Sequence, residues 1–105
     1  VVSMAVKMLN EASFDAAITA NKTVLVDLFA EWCGPCRMLS PVVEELSKER
    51  PDVAFYKVNV DEDPVIAARF GVSSIPTLLC FKDGRLAKTS VGFCTKEEIE
   101  ALLSV

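Results

Sequence analysis

The stretch Val24-Leu25-Val26-Asp27-Leu28-Phe29 constrains the fold most. Its apolar residues occupy both parities of the strand period, and Val24 and Val26 are β-branched. A half-exposed strand alternates apolar with polar, whereas a strand apolar on both sides has to be covered on both. The stretch therefore reads as a central strand with a layer packed above it and another below. The run from Thr23 to Ala30 is the longest apolar one, and Asp27 interrupts it. It falls far short of the roughly 20 residues that span a bilayer.

The rest of the chain supplies alternating partners for that strand. Residues 4–9 read as a short strand. Asn10 caps a helix that runs to Ala20, with Phe14, Ala17 and Ile18 at i, i+3 and i+4. After the central strand and the segment Ala30 to Cys36, a helix is predicted from Arg37 to Arg50. Met38, Leu39, Val42, Val43 and Leu46 form its apolar stripe, and Pro41 falls inside it. Val53–Val60 is a second β-branched and aromatic strand. Asp63-Pro64 starts a helix and Phe70-Gly71 stops it. Thr77–Phe81 and Leu86–Val91 form a hairpin around Asp83-Gly84. Thr95 to Glu98 is a capping box that opens a last helix with Ile99, Leu102 and Leu103 buried. The order is β-α-β-α-β-α-β-β-α. Its β-α-β units require parallel crossovers and its final hairpin an antiparallel pair. The expected class is α/β, a mixed central sheet of about five strands flanked by four helices.

At 105 residues the chain has room for a single domain, 1–105. Apolar residues make up 51% of it, which supports a core and argues against disorder. Eleven Lys and Arg against 15 Asp and Glu give a net charge of −4. An acidic chain with no basic run lacks the footprint of a nucleic-acid binder and the polybasic signal for anionic membranes. Val1 to Leu9 does not read as a basic leader followed by an apolar segment. The chain begins with Val, so removal of a preceding targeting segment stays open.

There are four Cys and no His. Cys33 and Cys36 form one close pair; Cys80 and Cys94 stand alone. Zinc ribbons use two close pairs and zinc fingers add a His pair, so this spacing speaks against metal. A Cys-x-x-Cys on its own occurs in metal sites as well as redox sites. Its position after an apolar strand and at the start of a helix favours the redox reading. Cys33 lies at the helix N-terminus, where free N–H groups and the macrodipole favour a thiolate. Cys36 lies one turn in, with less exposure expected. This is an arrangement for reversible thiol–disulfide exchange, in which Cys33 attacks and Cys36 resolves. Pro35 stiffens the segment between them. Asp27, in the middle of an apolar strand, is a second candidate. Burial of a carboxylate raises its pKa toward the range useful for proton transfer. Lys57 follows Val53 and Phe55 at strand spacing and faces their side. The isolated Cys80 is expected to be a buried, inert thiol. Cys94 has two readings: an apolar residue tucked under its loop, or an exposed thiol open to modification.

Trp32-Cys33-Gly34-Pro35-Cys36 resembles the active-site motif of the thioredoxin family. The resemblance covers essentially the whole chain. It extends through Phe14-Asp15, Val26-Asp27, Pro41, Lys57, Asn59-Val60-Asp61, Ile75-Pro76-Thr77, Asp83-Gly84 and Val91-Gly92. It implies the thioredoxin fold and a protein-disulfide reductase. The Gly34-Pro35 pair resembles the reducing members, since oxidising, isomerase-like members usually carry a His there. By the same resemblance Asp27 accepts a proton from Cys36 through water, and Lys57 tunes Asp27. The resemblance also implies that Pro76 is cis and that Trp32, Ile75, Pro76 and Gly92 present a flat client-binding surface. Phe29 stands where many members carry a second Trp, and Arg37 where Lys is common.

The resemblance further implies no bound cofactor and no metal, because the electrons reside on Cys33 and Cys36. A thioredoxin reductase, NADPH- and FAD-dependent, supplies them. Clients are disulfide-containing proteins, peroxiredoxin-like and other reductive enzymes. The protein is expected to be a cytoplasmic monomer that binds neither nucleic acid nor membrane, with an organelle after transit-peptide cleavage as the alternative. Two rival readings are a binding subunit of the same fold without turnover and a zinc-binding module.

Overall fold

A computed structural model describes residues 6–105. Met4 and Ala5, the start of the expected first strand, lie outside the described residues. The strand present is β1, Val6–Met8. It is followed by α1 (Glu11–Ala20), β2 (Thr23–Phe29), α2 (Gly34–Glu49), β3 (Ala54–Asn59), α3 (Pro64–Arg69), β4 (Thr77–Lys82), β5 (Arg85–Val91) and α4 (Lys96–Leu103). The element order matches the expectation.

The sheet runs β1-β3-β2-β4-β5. β1 and β2 both pair parallel to β3, while β4 is antiparallel to β2 and β5 antiparallel to β4. β2 is thus the middle strand, and its residues from Val24 to Leu28 are all buried, Asp27 included. Its two parities feed two cores. Leu25 joins Phe55, Leu78 and Cys80 beneath Leu39, Val43 and Leu46 of α2 and Ile99 and Leu102 of α4. Val24, Val26 and Leu28 face the other way, with Phe14 and Ile18 of α1 and Ile66 of α3. Full burial of a Leu or Phe side chain contributes about 1.5–3 kcal/mol, so these two faces hold the sandwich together.

Local signals set the boundaries. The Asn10 side chain accepts the Ser13 N–H at 2.9 Å and starts α1. Thr95 and Glu98 cap α4 reciprocally, at 3.2 and 2.9 Å. Asp83 and Gly84 both have positive φ, 53° and 80°, as a two-residue hairpin turn of this kind demands. Asp63 precedes α3 without capping it; its carboxylate instead accepts the Glu11 N–H at 3.1 Å and ties α3 to the start of α1. α2 is continuous through Pro41.

Two expectations are corrected. α2 starts at Gly34 and not at Arg37, because Cys33 caps it and Pro35 suits its first turn. Met38 is 65% exposed and does not belong to the buried stripe of α2. Leu39, Val43 and Leu46, at i, i+4 and i+7, define the line that meets the sheet. Met38 sits about 100° around the helix from that line, beside the half-buried Val42.

Candidate active site

The chain leaves β2 at Phe29 and enters α2 at Gly34. Cys33 is the N-cap of α2, and its Sγ accepts the Cys36 backbone N–H at 3.2 Å. One of the helix's free donors is therefore aimed at sulfur, which favours the thiolate whenever Cys33 is reduced. Pro35 occupies the first turn, where its missing N–H is not needed. Cys33 and Cys36 form a disulfide, with Cα atoms 5.2 Å apart. The expected difference in exposure between them is absent: the two are 4% and 3% exposed. Ala30, Phe29, Val60 and Ile75 pack around both.

Residues distant in sequence complete the surroundings. The Ile75 carbonyl oxygen lies 3.9 Å from Cys33 Sγ. The Ile75–Pro76 bond is cis, and the Pro76 carbonyl accepts the Gly92 N–H at 2.8 Å. Gly92 has φ +94°, a region that side-chain-bearing residues rarely adopt. Trp32 is 69% exposed, and its indole N–H donates to Asp61 Oδ2 at 2.8 Å. Trp32 adjoins Cys33 in the chain, the Ile75 carbonyl lies beside Cys33 Sγ, and the buried Pro76 ties Gly92 to this segment.

Asp27 lies behind Cys36. It is 4% exposed, and its Oδ1 has no hydrogen-bond partner. Burial pushes its pKa up to about 7, against a smaller downward pull from the Lys57 charge. Asp27 and Lys57 are register partners on adjacent strands, so their side chains share a face. A pocket of about 230 Å³ connects Asp27 and Cys36 and is also lined by Phe29, Arg37, Ser40 and Lys57. That volume is large enough to admit water between Asp27 and Cys36. Reading the sequence missed Ser40 and the Asp61 acceptor. The i, i+4 spacing from Cys36 to Ser40 was the available signal for the first. For the second, no local signal exists.

Cys80 is fully buried, and burial raises its thiol pKa. Cys94 is also buried, at 5%, which removes the exposed reading. Its loop folds the sulfur inward, 3.0 Å from Ser90 Oγ and against the core under α4. With Cys33 and Cys36 held as their disulfide, a brief pulse of alkylating reagent is expected to label neither residue before unfolding. Mass spectrometry reads the outcome, and labelling of native Cys94 would reinstate the exposed thiol.

A mixed sheet with a disulfide at a helix N-terminus and a buried acid behind it defines a thiol–disulfide exchange domain. Among the described residues no cluster of three Cys, Asp or Glu side chains could hold a metal ion. No helix among them is long and apolar enough to cross a membrane.

The thioredoxin family model matches residues 5–105. A thioredoxin from Alicyclobacillus acidocaldarius is 50% identical over 97 residues, covering 91% of this chain and 92% of that one. A solved mutant thioredoxin from Halobacterium salinarum superposes with a TM-score of 0.88 at 36% identity, covering 99% of this chain and 93% of that one. A chain from a structural study of thiol resolution in yeast mitochondrial 1-Cys peroxiredoxin via glutathione/thioredoxin systems also gives 0.88. It is 34% identical and covers 94% of this chain and 93% of that one. The chain belongs to the thioredoxin family and is a thiol–disulfide oxidoreductase that reduces protein disulfides. Members of the family carry no cofactor of their own and are reduced by thioredoxin reductase.

Proposed function

We propose that Cys33 is the attacking thiol, Cys36 the resolving one and Asp27 the proton acceptor that readies Cys36. The Cys33 thiolate attacks a client disulfide. A Cys33–client S–S bond forms, the client's own S–S bond breaks, and one client thiolate leaves. Cys36 then gives its proton through pocket water to Asp27 and attacks Cys33 Sγ. The Cys33–Cys36 bond forms, the mixed disulfide breaks, and the client departs with two electrons gained. The observation that carries this reading is the Cys36 N–H held on Cys33 Sγ at the start of α2, since it singles out Cys33 as the stabilised thiolate.

Lys57 sets the acidity of Asp27 in this scheme. Trp32, Ile75, Pro76 and Gly92 form the docking surface. The half-buried Ile75 backbone beside Cys33 suits an extended client segment adding as a strand. Electrons come from an NADPH-dependent flavin reductase. Peroxiredoxin-like enzymes are among the clients, in keeping with the similar chain from the study of peroxiredoxin thiol resolution via glutathione/thioredoxin systems in yeast mitochondria. The chain acts as a cytoplasmic monomer and a single domain, residues 1–105.

A coupled assay tests the scheme, with NADPH, a flavin-dependent thioredoxin reductase and a disulfide-bonded protein. NADPH oxidation is expected to depend on this chain and to vanish when Cys33 and Cys36 are both Ser. Undiminished support of a partner enzyme by that double variant would favour the binding-subunit reading.

A further inference from the structure

We propose that Phe29 is a positioning residue for this chemistry: its ring holds the Lys57 ammonium on an aromatic face and out of contact with Asp27. The proposal deepens the reading above and rests on Asp27 as the proton acceptor.

Asp27 and Lys57 stand opposite each other on β2 and β3, strands that lie about 4.8 Å apart, so a direct ion pair is within reach. None forms. Asp27 Oδ1 has no partner, and no Lys57–Asp27 nitrogen–oxygen distance is 4.0 Å or less. Lys57 Nζ lies instead 5.8 Å from the centroid of the Phe29 ring, within cation–π range. Phe29 is two residues beyond Asp27, so it projects from the same face of β2, and all three side chains line one pocket.

The placement has a chemical consequence. A lysine bonded to Asp27 would stabilise the carboxylate and return it toward ordinary acidity. It would then be a poor proton acceptor near neutral pH. The other groups facing Asp27 do not take over this role. α2 presents Cys36, Ser40 and Arg37, and the Arg37 guanidinium donates to the Glu31 carbonyl at 2.6 Å. Glu31 is exposed at the pocket mouth, and β4 places Leu78 opposite Asp27. Lys57 is the cation whose position decides, and Phe29 is what holds it.

The test is a carboxyl-carbon NMR titration of Asp27 in the oxidised protein. Phe29→Leu is expected to lower the midpoint by about 1 pH unit, the effect of moving a unit charge from roughly 6 to 4 Å at an effective dielectric of about 20. Phe29→Trp, which keeps an aromatic face, is expected to retain the wild-type midpoint. With Lys57→Met already present, Phe29→Leu should shift nothing further. An unchanged or higher midpoint in Phe29→Leu overturns the proposal. So does an equal fall in the Lys57→Met background, which would mark added hydration of Asp27 as the cause. One measurement needs no variant: the Lys57 ε-methylene protons of the wild type should show an upfield ring-current shift, and its absence overturns the proposal. Failure of the Asp27 reading looks different. The NMR midpoints would move as expected while the pH profile of turnover did not follow them.

Discussion

Cys36→Ser is expected to accumulate covalent adducts with clients, while Cys33→Ser forms none. The asymmetry follows from the start of α2. The Cys36 N–H points at Cys33 Sγ, and the Cys33 carbonyl accepts the Arg37 N–H at 3.2 Å. A negative charge on Cys33 meets helix donors, whereas Cys36 lies inside the first turn. Ser at 33 removes the nucleophile, so turnover should fall by roughly a thousandfold or more. Ser at 36 leaves the first attack intact and deletes the second, so the mixed disulfide persists. Turnover is lost equally in both variants, and only mass spectrometry of the adducts separates them. Release of clients at the normal rate by Cys36→Ser, or adducts on Cys36 in the Cys33→Ser protein, would reverse the assignment.

What the sequence made legible was local, or bore on the whole of one element. β2 could be placed at the centre of the sheet because both of its parities are apolar. α4 and the β4–β5 hairpin could be bounded because Thr95–Glu98 and Asp83-Gly84 act over three or fewer residues. The identity of the dithiol needed no structure either. Less legible were features set by the rotation of a helix or by contact across the fold. Met38 and Leu39 are adjacent in sequence, yet one is exposed and the other buried. A difference of 100° around α2 decides that, and composition does not report it. The inward turn of Cys94 depends on Ser90 and on the core under α4. Trp32 meeting Asp61 and Phe29 meeting Lys57 join residues 29 and 28 positions apart, brought together only when β2 pairs with β3. Departures such as Phe29 read as mere replacements until the partner across the sheet is in view.

Asp27→Asn should make the protein more stable and slower. The folded protein binds the Asp27 proton more tightly than the unfolded chain does, with a pKa raised from 3.8 to about 7 by burial. Between those two values the unfolded state is ionised and the folded state protonated. Stability therefore falls as pH rises through that window. Each tenfold difference in proton affinity is about 1.4 kcal/mol, so the ionised carboxylate costs the fold on the order of 4 kcal/mol above about pH 8. In going from about pH 8 to pH 5 the wild type should recover on the order of 2–3 kcal/mol. The chain has no His, the side chain that ordinarily titrates in that range, so Asp27 dominates the slope. Asn cannot ionise. It should raise stability at pH 8 by roughly 2–4 kcal/mol and flatten the pH dependence, with the unpartnered Oδ1 position still present to limit the gain. It also removes the group that takes the Cys36 proton, so turnover at neutral pH should drop on the order of 10- to 100-fold. Urea midpoints of both proteins at pH 8 and pH 5, with turnover measured beside them, decide the matter. A midpoint that falls in the variant would refute the burial cost, and full turnover at neutral pH would remove Asp27 from the proton path.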